Sequence, residues 1–98
     1  MIKSFDNQGT CDIYFGKNTK NARKTCPQEL WSNAHRLLHM IDSAKSLKDL
    51  QKFPGQRIKK LSGGRKNQYS MRINRQFRIC FYWSDNEASA VSIEDYHQ

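Results

Sequence analysis

Two short blocks late in the chain alternate apolar and polar residues, and this alternation constrains the fold more than any other feature. Tyr69, Met71 and Ile73 alternate with Ser70, Arg72 and Asn74; Phe77, Ile79, Phe81 and Trp83 alternate with Arg78, Cys80 and Tyr82. Successive side chains of a strand point to opposite faces, so each block predicts a half-buried antiparallel strand with one apolar and one polar face. Arg75-Gln76 between them reads as a tight connection. Asp85 and Asn86 mark a turn over Ser84 to Ala88, and Ala90 to Asp95 reads as a last strand with Val91 and Ile93 inward. Arg57 to Leu61 reads as a further strand, and Gly63-Gly64 opens a turn that runs to Gln68.

The front of the chain follows a different period. Leu30, Ala34, Leu37, Leu38, Ile41 and Ala44 form one apolar stripe at helical spacing. Pro27 suits a first helical position, Glu29 suits the positive end of the helix dipole, and Thr25 with Gln28 has capping-box spacing, with the cap open between Thr25 and Cys26. Ser43 to Leu50 reads as a helical tail or a short extra turn, ended by Phe53-Pro54-Gly55. Met1 to Phe5 reads as a strand, Asn7 to Thr10 as a turn, Cys11 to Phe15 as a short helix, and Gly16 to Lys24 as a loop or frayed helix end. The order is strand, one or two helices, then about four antiparallel strands: an α+β chain whose 98 residues suit one domain, 1–98.

Charge narrows the partners. The formal net charge is +8, which points to an anionic partner. No apolar run approaches the roughly 20 residues that span a bilayer, and the N-terminus lacks an apolar stretch of signal type. Cys11, Cys26 and Cys80 form no CxxC pair, which fits a reducing cytoplasm. From Lys52 to Ser84 there is no Asp or Glu, while Lys52, Arg57, Lys59, Lys60, Arg65, Lys66, Arg72, Arg75 and Arg78 are all present. Burying unpaired cations is expensive, so the apolar phase must face inward and the basic phase outward. With Tyr69, Tyr82 and Tyr96 interleaved, such a surface can bind phosphates while rings stack on bases, as in single-stranded RNA recognition.

Other constellations carry less. His35 and His39 stand at metal-binding spacing without a third ligand nearby, and read as surface histidines. Gly63-Gly64-Arg65-Lys66 lacks a phosphate-loop pattern, Cys80 has no evident base beside it, and carboxylates able to pair as acid and base are few. Asp95-Tyr96-His97 stands out, because the last strand delivers three functional side chains with one residue to spare.

The stretch Phe53 to Trp83, with the opening MIKSF and the ending EDYHQ, resembles the HigB or "killer protein" branch of the RelE-like toxins of type II toxin–antitoxin systems. Members of that branch open on M-I-x-S-F, carry P-G-x-R-x-x-x-L-x-G and W-R-I-x-F segments, and end in D-Y-H. The resemblance implies a RelE-like α+β fold with an N-terminal strand, two helices and an antiparallel sheet curved into a basic concave face. It implies ribosome-dependent, metal-free and cofactor-free mRNA cleavage in the decoding site, through attack of a 2′-hydroxyl to leave a cyclic phosphate. It also implies a helix-turn-helix HigA-type antitoxin, with a toxin–antitoxin heterotetramer as one assembly; no membrane partner is expected, on the separate ground that the chain has no basic amphipathic stretch with a large apolar face. Asp95, Tyr96 and His97 fall on the terminal catalytic triplet, and Arg78 on the arginine that supports the scissile phosphate. Lys59 stands where some members have a catalytic histidine, and Ser62 where many have a lysine, so the identity of the general base stays open.

On this reading His97 moves protons, Asp95 orients it, Arg78 neutralises the phosphorane, and Tyr96 stacks or hydrogen-bonds. Lys59 supplements charge. Arg57, Lys60, Arg65, Lys66, Arg72, Arg75 and Tyr69 are the expected RNA contacts. A gyrase-directed toxin of ParE type and a non-catalytic RNA-binding module are the alternatives.

Overall fold

The structure is a computed structural model and describes residues 1–52, 58–61 and 67–96. Among these residues four α-helices, α1 (Gln8–Tyr14), α2 (Lys20–Thr25), α3 (Trp31–Ser43) and α4 (Leu47–Gln51), precede four strands, β1 (Lys59–Lys60), β2 (Gln68–Arg72), β3 (Phe77–Ser84) and β4 (Glu87–Asp95). The strands form one antiparallel sheet in the order β1-β2-β3-β4, so the architecture is α+β as the periodicities predict. Two helices were expected and four α-helices are found among the described residues, because short polar segments are capped into helices that carry no apolar stripe.

The clearest such case is α1. Asn7, read as part of a turn, is the helix N-cap: its side-chain oxygen accepts from the Thr10 amide at 2.8 Å. The Gly16 to Lys24 stretch likewise contains α2, capped by Thr19. Asp12, buried in α1, accepts from Thr19 Oγ1 at 2.6 Å and from Gln8 Nε2 at 2.7 Å, and these bonds hold its carboxyl below the usual range. The two helices approach so closely that a Cβ at Gly9 would collide with the Thr25 side chain and the Asn21 carbonyl. Thr25 closes α2 and donates to Asn21 O rather than making a capping box with Gln28; a 3₁₀ turn (Gln28–Leu30) leads into α3 instead. The capping box lies further on, where Ser46 and Asp49 bracket the first turn of α4.

The predicted stripe of α3 is buried: Ala34, Leu37, Leu38 and Ile41 share one core with Met71, Phe77, Ile79, Phe81, Val91 and Ile93 of the sheet. Burying each large aliphatic or aromatic side chain contributes about 1.5–3 kcal/mol, and this shared core fixes the helices on one face of the sheet. We call that the inner face.

The outer edge of β4 is closed rather than open. Residues 1–6 lie beside it in parallel, bridging Ile2 to Ala88 and Phe5 to Val91, with the Lys3 amide donating to Ala88 O at 2.7 Å and the Val91 amide to Ser4 O at 3.0 Å. The expected first strand is thus an extended segment with two isolated bridges. The Ile93 amide donates to Thr10 Oγ1 of α1 at 2.9 Å, so the edge offers few unpaired groups to another chain. Asp42 of α3 anchors the start of the chain by accepting from the Ile2 amide at 2.8 Å and from Tyr14 OH at 3.0 Å; the first of these bonds, with the Tyr14 bond and the nearby positive N-terminus, lowers its pKa.

One irregularity in β4 decides which side chains face where. Tyr82 faces Ser89 but Cys80 faces Ser92, so one extra residue of β4 is accommodated between them. Ala90 absorbs it at φ 49°, in the left-handed region, and its amide is satisfied by Ser4 Oγ at 2.9 Å. The bulge shifts the phase by one. Val91 and Ile93 then point to the core, and Ser92 and Glu94 to the opposite face.

Candidate active site on the outer sheet face

Facing residues of an antiparallel pair share a face, so the register assembles the outer surface row by row. One row runs Lys59, Ser70, Cys80, Ser92; the next runs Arg72, Arg78, Glu94. Ser70, Cys80 and Ser92 are small and buried, forming a floor beneath the longer side chains of the neighbouring row. Arg78 lies over this floor. Its Nη1 donates to Ser70 Oγ at 3.1 Å, and its guanidinium carbon stands 5.3 Å from the centre of the Tyr96 ring. A guanidinium held by a hydroxyl and covered by an aromatic ring keeps its planar fork in one orientation.

The tail is positioned by the β2–β3 hairpin. Asn74 Oδ1 accepts from the Gln76 and Phe77 amides at 2.9 and 2.7 Å, which makes the tight connection expected around Arg75-Gln76. Gln76 in turn holds the end of β4: its carbonyl accepts from the Tyr96 amide, and its Nε2 donates to Asp95 Oδ2 at 3.1 Å. Tyr96 is thereby brought over Arg78 although the two are far apart in sequence.

Electrostatically the row is unbalanced. Arg72 and Arg78 face each other directly across β2 and β3, an arrangement that like charges disfavour and that an anion between them relieves. Arg72 is exposed, with its Nε donating to Asn74 O at 3.1 Å, and Lys59 adds an exposed ammonium two strands away from Cys80. On the far side, Glu94 faces Arg78 and accepts from Ser92 Oγ at 2.9 Å.

The structure therefore brings Lys59, Arg72, Arg78 and Tyr96 to one face. It does not bring Tyr69, Lys60 or Asp95 there. Tyr69 lies on the inner phase, half-buried with its ring 6.2 Å from Phe81, so it packs the core rather than offering a stacking surface; Tyr82, 38% exposed, is the ring that faces outward beside this site. Lys60 shares Tyr69's phase at the sheet edge, and Asp95 shares that of Phe77. Arg75 is exposed at the hairpin tip. Arg57, Arg65, Lys66 and His97 lie outside the described residues, as do Ser62 and most of the turn expected after Leu61. His35 and His39 lie on α3, where His35 Nδ1 sits 3.1 Å from Ile13 O, His39 Nε2 sits 3.3 Å from Tyr14 O, and the His39 ring stacks on Tyr14 at 4.4 Å. Among the described residues, no helix is long and apolar enough to cross a membrane.

Sequence reasoning missed Ser70, Ser92 and Glu94. A polar residue two places from an arginine on a strand is unremarkable until the partner strand is known. The spacing of Ser70 and Arg78 about the Arg75-Gln76 turn was the available signal.

Helices on one side of an antiparallel sheet, and a cationic, tyrosine-covered row on the other, define the class: an α+β chain that presents cations on its sheet. A family model described as HigB-like toxin, a RelE-like toxin of the type II toxin–antitoxin system HigB, matches residues 3–97, and the chain belongs to that family. It is 36% identical over 62 residues to the toxin HigB-1 of Vibrio cholerae serotype O1, a stretch that covers 63% of this chain and 65% of that toxin. It is 26% identical over 68 residues to an uncharacterized protein of Haemophilus influenzae, covering 69% of this chain and 67% of that protein. The match thus spans about two thirds of the length of these relatives. Among solved structures, a chain of the YoeB-YefM complex from Staphylococcus aureus shares the fold, with a TM-score of 0.61 at 18% identity over 100% of this chain and 99% of that one.

Proposed function

We propose that this protein acts, as one domain, as a toxin that cuts mRNA on the ribosome by transesterification and is neutralised by a helix-turn-helix antitoxin of HigA type. The observation that carries the reading is the fixed guanidinium of Arg78, braced by Ser70 and covered by Tyr96 on a face that also presents Arg72 and Lys59. Cleavage by a neighbouring 2′-hydroxyl requires removal of its proton, neutralisation of the pentacovalent phosphorane, and protonation of the departing 5′-oxygen. Arg78 offers a charged fork to the phosphate oxygens as their charge grows. Arg72 and Lys59 bind the flanking phosphates, and Tyr96 gives an adjacent base or sugar an aromatic surface. His97, at the end of the family's terminal triplet, supplies the proton to the leaving group near neutral pH. The ribosome supplies the substrate conformation, so free RNA is a poor substrate. Its place of action is then the cytoplasm, and the antitoxin complex is a heteromer, for which a heterotetramer is one arrangement.

The test is expression of Arg78→Ala and of a chain lacking His97 and Gln98, with growth and mRNA 5′ ends followed together. Wild type should arrest growth and leave codon-linked cuts. Both variants should relieve the arrest and cut at least about 100-fold more slowly, the scale of losing one transition-state charge partner. Full toxicity in both would end the proposal, and arrest with DNA damage but no RNA cuts would favour a gyrase-directed toxin.

A further inference from the structure

The terminal triplet offers one carboxylate, Asp95, but strand alternation turns it to the side of Phe77, where it meets Gln76. The carboxylate on the face of Arg78 is its predecessor. Glu94 is the Cα partner of Arg78, and facing residues of such a pair stand about 4.5–5.5 Å apart at their Cα atoms. Glu87 also points to this face but sits at its far end, opposite Ser84.

We propose that Glu94 is a catalytic residue, the base that takes the 2′-hydroxyl proton while Arg78 holds the adjacent phosphate. This rests on the ribonuclease reading above. Guanidinium and carboxylate on facing positions would ordinarily collapse onto each other. Here each is drawn the other way. Arg78 turns toward β2 to reach Ser70, while Glu94 is tied within its own strand by Ser92 Oγ, and no ion pair joins the two. The groups facing Glu94 are Arg78 and the Tyr96 that covers it, with Arg72 beyond. Its Oε1 has no hydrogen-bond partner among the described residues. A base and a cation held side by side but unpaired match the two things that lie side by side in RNA, a 2′-hydroxyl and the phosphate it attacks.

The step balances simply. The 2′-hydroxyl proton passes to the Glu94 carboxylate, the oxygen's electron pair forms the bond to phosphorus, the bond from phosphorus to the 5′-oxygen breaks, and that oxygen takes its proton from His97. Lys59, which stands where some relatives have a histidine, is then relieved of the base role and serves as a phosphate contact. The bulge at Ala90 is what makes this possible: without it Glu94 would fall on the inner phase.

The experiment is single-turnover cleavage of mRNA on programmed ribosomes by wild type, E94Q, E94D and R78A, with ribosome affinity and melting temperature recorded for each. E94Q should cut about 100-fold or more slowly with unchanged affinity, the usual scale for losing a general base. E94D, which keeps a carboxylate, should retain more activity than E94Q; the reverse order overturns the assignment. A second substrate carries sulfur in place of the scissile 5′-oxygen, a leaving group that needs no proton. It should rescue the chain lacking His97 and Gln98 but not E94Q. Rescue of E94Q would place Glu94 at the leaving group and defeat the proposal, as would wild-type cutting by E94Q. If E94Q cuts normally while R78A is dead, the ribonuclease reading stands and only this inference falls; if R78A also cuts normally, the ribonuclease reading falls with it.

Discussion

On the inner face of the sheet, Met71, Ile79, Phe81 and Val91 are wholly buried against Leu37, Leu38 and Ile41 of α3. On the outer face, the same strands bury Ser70, Cys80 and Ser92 and set Arg72, Arg78 and Glu94 beside them. The inner face holds the molecule together by area removed from water, which is tolerant of detail. The outer face holds a few groups in one orientation through single hydrogen bonds, which is not. A mutation on the inner face should therefore be felt as lost stability, and one on the outer face as lost chemistry in a folded protein.

The largest break in that contrast comes from Phe81→Ala. Emptying a fully buried phenylalanine site should cost about 3–5 kcal/mol, lowering the urea midpoint and removing toxicity only because the protein unfolds. A variant that stays as stable as wild type would show that the inner face is not the source of the molecule's cohesion. Ser70→Ala probes the opposite face. It removes one hydrogen bond to Arg78, so stability should fall by only about 0.5–1.5 kcal/mol. Cleavage should drop about tenfold at unchanged ribosome affinity, a loss of roughly 1.4 kcal/mol in the barrier. Unaltered cleavage would mean that Ser70 does not orient the guanidinium. The smallest effect is expected where the faces exchange phase. Ala90 holds a left-handed conformation that glycine adopts without steric cost, so Ala90→Gly should raise stability by about 0.5–1 kcal/mol after the greater chain entropy of glycine is offset. A lower melting temperature would show that the bulge is not strained.

How much of this was legible depends on the range of the interaction that fixes each part. The stripe on α3 and the alternation in β2 and β3 are local patterns, and they predicted those elements and their inward phases. The short helices α1 and α2 carry no stripe. They exist because Asn7 and Thr19 cap them and because Asp12 joins them, a bond between residues whose pairing no periodicity announces. At the site, the cationic bias of the late segment and the arginine of β3 could be read directly. The alternation also implied that Tyr69 packs inward with Met71, against its expected role as an RNA contact, and that Asp95 shares the inward phase of Val91 and Ile93; that Glu94 lies directly opposite Arg78 depends on the register of β3 and β4 and could not be read.

What the chain by itself determined is the class of fold and the sign of its working surface, since hydrophobic period and charge distribution act over a few neighbouring residues and survive in any register. What only the tertiary structure decided is which side chains meet. A single extra residue in β4 reverses every side chain beyond it, and the position of that bulge is set by pairing with β3 and by the Ser4 hydroxyl, contacts made across the whole length of the chain.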